Sequence, residues 1–221
     1  RAIDLFDLPA FLYFIQKNVM KRSRVIKLSA DWKQHQYFLE KYNTVGFIFE
    51  FGAGKTLAQN LFLSKVVDQQ LLVDLNPMLD LELVEMARNS LSTMIALKTN
   101  TKIVEEEDLE KYGIRYKAPA DASKSELPDR IVDACISTNT LEHIPKEKIL
   151  KIFHELHRIL KDSGIVSAKI DYSAHYAHTD KNISVLNYLK YSEREWQKYT
   201  HSSHHQRYIN ASRWSSDSRW V

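Results

Sequence analysis

Cysteine is nearly missing: Cys135 is the only one in 221 residues. A lone thiol excludes an internal disulfide. Its place in the apolar run 131–136 reads as buried strand, so a cytoplasmic protein is expected. No apolar run is long enough to span a bilayer. The most apolar N-terminal stretch, 8–20, is broken by Gln16 and Lys17 and falls short of the roughly 20 residues a membrane helix needs, so no transmembrane segment is expected. Blocks of lysine and arginine are missing too, and a formal charge of +3 spread along the chain gives little reason to expect a nucleic-acid partner. Internal repeats, low-complexity stretches and linkers are lacking, which makes 1–221 a single domain. The chain begins at Arg1 rather than Met, as a fragment or trimmed chain would. What is present, 44% hydrophobic and 27% charged residues, is the balance of a globular domain with a real core and no sign of disorder.

The chain is organised around residues 44–60, TVGFIFEFGAGKTLAQN. An apolar run, 45–49, reaches Glu50 and opens into Gly52-Ala53-Gly54, after which 56–64 reads as helix. Bare backbone at a strand-to-helix turn lets a ligand approach closely, and the following helix offers unpaired N–H groups. Missing glycines narrow the choice of ligand. Gly54-Lys55-Thr56 ends like a phosphate-binding loop, but Phe49 stands where that loop needs its first glycine. Leu57 stands where a dinucleotide fingerprint needs its third, which argues against NAD and FAD. What remains is an acidic residue leading directly into a G-x-G turn.

Upstream, 8–19 and 31–42 carry helical spacing, the second with Trp32, Tyr37, Phe38 and Tyr42 on one face. The basic knot Lys21-Arg22-Ser23-Arg24 between them reads as a solvated turn, and 1–43 as a helical cover. Downstream, 71–75 is a short strand closing on Asp74, twenty residues after Gly54, the spacing of adjacent parallel strands joined by one helix. A carboxylate at such a strand tip can accept both hydroxyls of a ribose. Residues 78–98 read as helix with Leu79, Leu83, Met86, Leu91 and Met94 as its apolar face, and 108–112 as a short helix stopped by Gly113. A third strand, 114–118, leads to Pro119-Ala120-Asp121-Ala122, where Asp121 could accept from an adenine amino group. The fourth strand, 131–137, precedes the polar stretch 138–145. An amphipathic helix at 146–161 is ended by Gly164, and 165–170 is the fifth strand. Strand and helix alternate over about 130 residues, which implies a parallel sheet covered on both faces.

In this order and at this spacing, Glu50-Phe51-Gly52-Ala53-Gly54, Asp74, Asp121-Ala122 and Ser137-Thr138-Asn139-Thr140-Leu141-Glu142-His143-Ile144 resemble the motifs of class I S-adenosylmethionine-dependent methyltransferases. The stretch 157–164 resembles the segment before that family's fifth strand. The resemblance covers 44–171. It implies an α/β, Rossmann-like class I methyltransferase domain, a mostly parallel sheet with helices on both faces, and S-adenosylmethionine as cofactor. It also implies roles. Gly52, Ala53 and Gly54 would pass under the methionine part, with Glu50 ordering the turn or reaching the amino group. Asp74, with Leu75 beside it, would hold the ribose, and Asp121 with Ala122 the adenine. Ser137, Thr138 and Leu141 would line the floor beneath the sulfonium. Thr56 stands where many members have a third glycine.

Methyl transfer asks chiefly for alignment, with a base where the acceptor is a hydroxyl. His143, His175 and His178 follow the fourth and fifth strands and are the candidate catalytic residues, with Asp180 beside them. Some metal-using members carry E-x-x-E-H after strand four; here Asn139 fills the first position, and a neutral amide is a poorer ligand for a hard cation, so no metal is expected. From 172 onward the chain is rich in tyrosine, histidine and tryptophan, and 172–180 and 187–192 resemble the acceptor-side insert of methyltransferases encoded with bacterial surface-polysaccharide enzymes. That implies a small-molecule or glycan acceptor methylated on a hydroxyl, with 172–221 as an acceptor-side segment. The family adds two more strands, the last antiparallel. Residues 212–220 show no strand alternation, so those strands are expected to be lacking or replaced. Two rivals stay open: a catalytically silent methyltransferase-like binding module, and a nucleic-acid methyltransferase, which the modest charge disfavours.

Overall fold

A computed structural model of the chain describes residues 27–174, 177 and 180–196. In order they form α1 (Ala30–Lys41), β1 (Phe47–Phe51), α2 (Ala58–Leu63), β2 (Gln69–Val73), α3 (Leu81–Ser92), a 3-10 turn (Glu106–Tyr112), β3 (Ile114–Lys117) and β4 (Val132–Thr138). A 3-10 turn (Leu141–His143), α4 (Lys146–Ile159), β5 (Leu160–Lys169), another 3-10 turn (Asn187–Lys190) and α5 (Glu193–Trp196) follow. The expected helix at 8–19, the basic knot and the stretch 212–220 lie outside the described residues.

The strands make one sheet in the order β3-β2-β1-β4-β5, every pair parallel, which is the Rossmann-like arrangement expected. Chain direction across the sheet reverses between β1 and β4, and ligands of open α/β sheets sit beyond the strand ends at such a point. Successive strand residues point to opposite faces, so the apolar runs build two cores. Ile48, Leu72, Ala134 and Ile136 meet Leu39 of α1, Leu61 and Phe62 of α2, and Val84, Ala87 and Leu91 of α3. Their neighbours Phe49, Val73 and Cys135 meet Ile149, Ile152, Leu156 and Ile159 of α4 on the other side.

Several boundaries and faces differ from the sequence reading. Strand β1 runs to Phe51, because Glu50 and Phe51 pair with Leu72 and Val73, so Glu50 lies inside the sheet rather than at its tip. On α1 the buried stripe is Trp32, His35 and Leu39, while Tyr37 and Tyr42 are 56% and 52% exposed around the Lys41 ammonium. Helix α3 begins later than Met78 because the Asp80 carboxylate caps it, accepting the Leu83 N–H at 3.2 Å; its buried face is Leu83, Val84, Ala87 and Leu91, with Met86 and Met94 outside. Gly164 does not end α4: the helix stops at Ile159, Leu160 pairs at once with Val132, and 161–164 arch out before Ile165 joins Ala134. Among the described residues no helix is long and apolar enough to cross a membrane.

Leu39 is fully buried between α1 and the sheet. Leu39→Ala is expected to lower stability by about 2–5 kcal/mol, read from urea unfolding; a loss under about 0.5 kcal/mol would show that α1 is not part of the cooperative core.

Candidate functional site

The turn after β1 is held from two sides. Gly52 N–H donates to the Val73 carbonyl at 2.9 Å and Gly54 N–H to Asp74 Oδ2 at 3.1 Å. Both glycines have φ above +70°, at +76° and +72°, a region that strains any other residue. Their surroundings differ. A Cβ on Gly52 would overlap the Thr140 side chain, coming within 2.9 Å of its Cβ, whereas one on Gly54 would meet nothing within 4 Å. Gly52 is therefore wedged under the loop after β4, and Gly54 presents bare backbone to open space at the switch point. Ala53, between them, packs against the first core.

Asp74 follows β2 directly. Its Oδ2 accepts the Gly54 N–H and the Tyr116 hydroxyl at 2.9 Å, and Tyr116 in turn accepts the Met78 N–H at 3.0 Å. Burial pushes the Asp74 carboxyl up to about 6, with the Tyr116 and Gly54 donors pulling the other way. Oδ1 is used by neither donor. Leu75 beside it is 68% exposed, an apolar surface at the rim. The Ala120 N–H donates to the Asp74 carbonyl at 2.8 Å, which brings the loop carrying Asp121 and Ala122 to the same edge. The Asp121 carboxylate, exposed, accepts the Ser123 N–H at 2.9 Å and hydroxyl at 2.8 Å, bonds that hold it below the usual carboxylate range. Ala122 is buried against Phe49 and Val73.

Glu50 faces the other way. Fully enclosed on the α2 side of β1, it accepts the Gln59 amide at 3.0 Å and the Asn60 amide at 2.6 Å, so its carboxylate fastens the helix that follows the turn. Burial lifts it to about 7, against the pull of those two donors. Ser137, fully buried, donates to the Phe51 carbonyl at 3.5 Å, and Leu141 is buried beneath the loop after β4. Thr138 donates to Gln59 Oε1 at 3.0 Å, also on the α2 side.

Gly54 and Asp74 thus meet directly, Gly52 is tied to β2 through Val73, Asp121 and Ala122 join through Ala120, and Glu50 and Thr138 support the turn from behind. His143 sits on the 3-10 turn Leu141–His143, its N–H donating to the Thr140 carbonyl at 3.0 Å. Its neighbour Glu142 is buried with Oε2 unpaired, while Oε1 accepts the Asp171 N–H at 3.4 Å. Asp180 is exposed and accepts the Asn182 N–H at 2.9 Å. His175 and His178 lie outside the described residues. Among those described, no three His, Cys, Asp or Glu side chains are grouped to hold a metal. Sequence reasoning passed over Tyr116, Gln59, Asn60 and His35. A polar pair, Gln59-Asn60, between the turn and the apolar run 61–63 was a signal, as was His35 in step with Trp32 and Leu39. Nothing in the sequence marked Tyr116.

A family described as methyltransferase domain matches residues 50–168. No curated protein sequence matches the chain. Among solved structures, an S-adenosylmethionine-dependent methyltransferase from Clostridium acetobutylicum is 16% identical, over 79% of this chain and 61% of its own, at TM-score 0.45. A TehB-like methyltransferase from Corynebacterium glutamicum is 14% identical over 73% and 71%, at TM-score 0.45. A structure from Anaeromyxobacter dehalogenans is 18% identical over 62% and 46%, at TM-score 0.41, so this chain spans about half of its length. Likenesses this loose carry no residue roles.

Proposed function

Since the chain belongs to the methyltransferase-domain family, we propose that its cofactor is S-adenosylmethionine and that the crevice at the carboxyl ends of β1, β2 and β4 holds it. The supporting observation is the contact of the Gly54 N–H with the Asp74 carboxylate, on a turn whose Gly54 face is open. Gly52, Ala53 and Gly54 pass beneath the methionine part. Asp74 Oδ1 accepts from the ribose, Leu75 covers the adenine, and Asp121 with Ala122 borders it. Glu50 keeps α2 against the turn, and Ser137, Thr138 and Leu141 support the floor. When bound, the cofactor supplies an electrophilic methyl group; the chain's task is to place an acceptor in line with it and exclude water.

The acceptor is a small molecule or glycan carrying a hydroxyl. Support comes from the segment after β5, where Leu189 and Tyr191 expose apolar and aromatic surface, 62% and 39%, among hydroxyl-bearing neighbours. His143 is the described candidate for the base. Methyl transfer to sugars or phenols, measured against RNA and DNA, tests the acceptor class; steeply salt-dependent methylation of nucleic acid would overturn it.

Calorimetric titration with S-adenosylhomocysteine tests the cofactor site. Ionised Asp74 accepts hydroxyls and its protonated form accepts fewer, so affinity is expected to fall as pH drops through about 6. Asp74→Asn should bind more weakly and lose that inflection. Equal, pH-independent binding by both proteins would remove Asp74 from the site.

A further inference from the structure

Behind the glycine turn, hydrogen-bonded side chains cross from α1 to β2 through the interior. Ser167 Oγ on β5 lies 2.7 Å from His35 Nδ1, and His35 Nε2 lies 3.1 Å from Thr138 Oγ1 at the end of β4. Thr138 donates to Gln59 Oε1 at 3.0 Å, and Gln59 and Asn60 both donate to Glu50. Asn60 also donates to Gln70 Oε1 at 3.2 Å, closing the run on β2. His35, Gln59, Glu50, Asn60, Gln70 and Ser167 are all buried. A chain of this length inside an apolar interior is stable only if every member finds its partner.

The direction of each bond follows from one end. Gln59 and Asn60 both turn an amide nitrogen toward Glu50, at 3.0 and 2.6 Å. That leaves Gln59 Oε1 facing Thr138, and the single Thr138 proton goes there. Thr138 Oγ1 must then receive its other bond, so His35 Nε2 carries a proton. Burial pushes His35 down to about 4, against the pull of Asp31 and with a smaller push from Lys169, so it is neutral near pH 7. Its Nδ1 is therefore bare and accepts from the Ser167 hydroxyl.

We propose that His35, in its neutral Nε2–H form, is a positioning residue for the cofactor site, locking the end of β4 to the helix that follows the glycine turn through Thr138 and Gln59. The inference rests on the cofactor reading above and extends it to α1, which lies before the matched stretch 50–168. His35 touches no ligand; it acts on the two elements that frame the crevice, the turn from β1 and the loop from β4. Without its N–H, Thr138 and Gln59 lose their fixed orientation, and Glu50 loses half of its grip on α2.

The test uses the full chain. Nitrogen-15 imidazole spectra at pH 7, with His35→Gln assigning the signal, should show the Nε2–H tautomer for His35. Losing one buried hydrogen bond, His35→Leu and Thr138→Val should each weaken S-adenosylhomocysteine binding by about tenfold. The double variant should be little weaker than either single one, because both cut the same link. His35→Gln, whose amide N–H can reach Thr138, should restore affinity to within about threefold of the starting protein. An Nδ1–H tautomer would overturn the proposal. So would folded His35→Leu and Thr138→Val proteins that bind as the parent does, or that weaken binding additively. Thr138→Val carries the test alone if His35→Leu does not fold. Failure of the parent chain to bind S-adenosylhomocysteine would overturn the cofactor reading together with the role given to His35. Binding by the parent with unaffected variants would overturn the His35 role only.

Discussion

Gly52→Ala is expected to destabilise the fold by about 2–5 kcal/mol, combining about 1–2 for the left-handed backbone with about 1–3 for overpacking, and to abolish S-adenosylhomocysteine binding. The cause is specific. Gly52 has φ +76° and no room for a methyl group against Thr140. Gly54→Ala separates the two penalties, since its φ is +72° but nothing stands within 4 Å of the added carbon. Its stability should drop by only about 1–2 kcal/mol. The new methyl group points into the open side of the turn, so binding should weaken about tenfold to a hundredfold, the equivalent of an overpacking penalty at the ligand. Urea unfolding and calorimetry on the pair distinguish a structural glycine from a ligand-facing one. Equal stability losses, or undiminished binding by Gly54→Ala, would contradict this division.

Glu50→Ala should cost about 3–5 kcal/mol, because it strands two buried amide donors, Gln59 and Asn60, and leaves a void under the turn. Glu50→Gln keeps the shape and isolates the charge. Burial raises the Glu50 carboxyl from 4.5 to about 7, so between those values the folded chain holds a proton that the unfolded chain has lost. Stability from this group is therefore lost as pH rises from about 4.5 to 7. Asp74, raised from 3.8 to about 6, adds a slope of the same sign, and His35, lowered from 6.5 to about 4, adds the opposite one. Comparing the parent with Glu50→Gln cancels both. The variant should gain on the parent as pH rises across the Glu50 window, and a flat difference would show that the folded environment leaves the Glu50 proton unperturbed.

Much of the candidate site's backbone geometry could be read in the sequence, because its demands are local. A turn with two residues at positive φ calls for glycine wherever the chain folds, and Asp74 follows from strand length plus one crossover helix. The two-sided sheet was legible for the same reason: consecutive pairs such as Ile48 and Phe49 are both apolar because each faces a different core. What was not legible depends on partners far along the chain. Glu50 looked like a strand-tip acid until β2 extended the pairing past it. Tyr116 reaches Asp74 across 42 positions and His35 reaches Ser167 across 132, contacts that no local period encodes. Gly164 carries the signature of a helix end, yet the capture of Leu160 by Val132 ends α4 first. On α1 the spacing put Tyr37 and Tyr42 on the core-facing side, which Trp32 shares with His35 and Leu39 instead.

The most direct test is a crystal structure of the chain with S-adenosylhomocysteine. Expected is a homocysteine moiety lying across Gly52, Ala53 and Gly54 and ribose hydroxyls within hydrogen-bond reach of the Asp74 carboxylate. A ligand bound with its ribose away from Asp74 and its sulfur away from the glycine turn would contradict it.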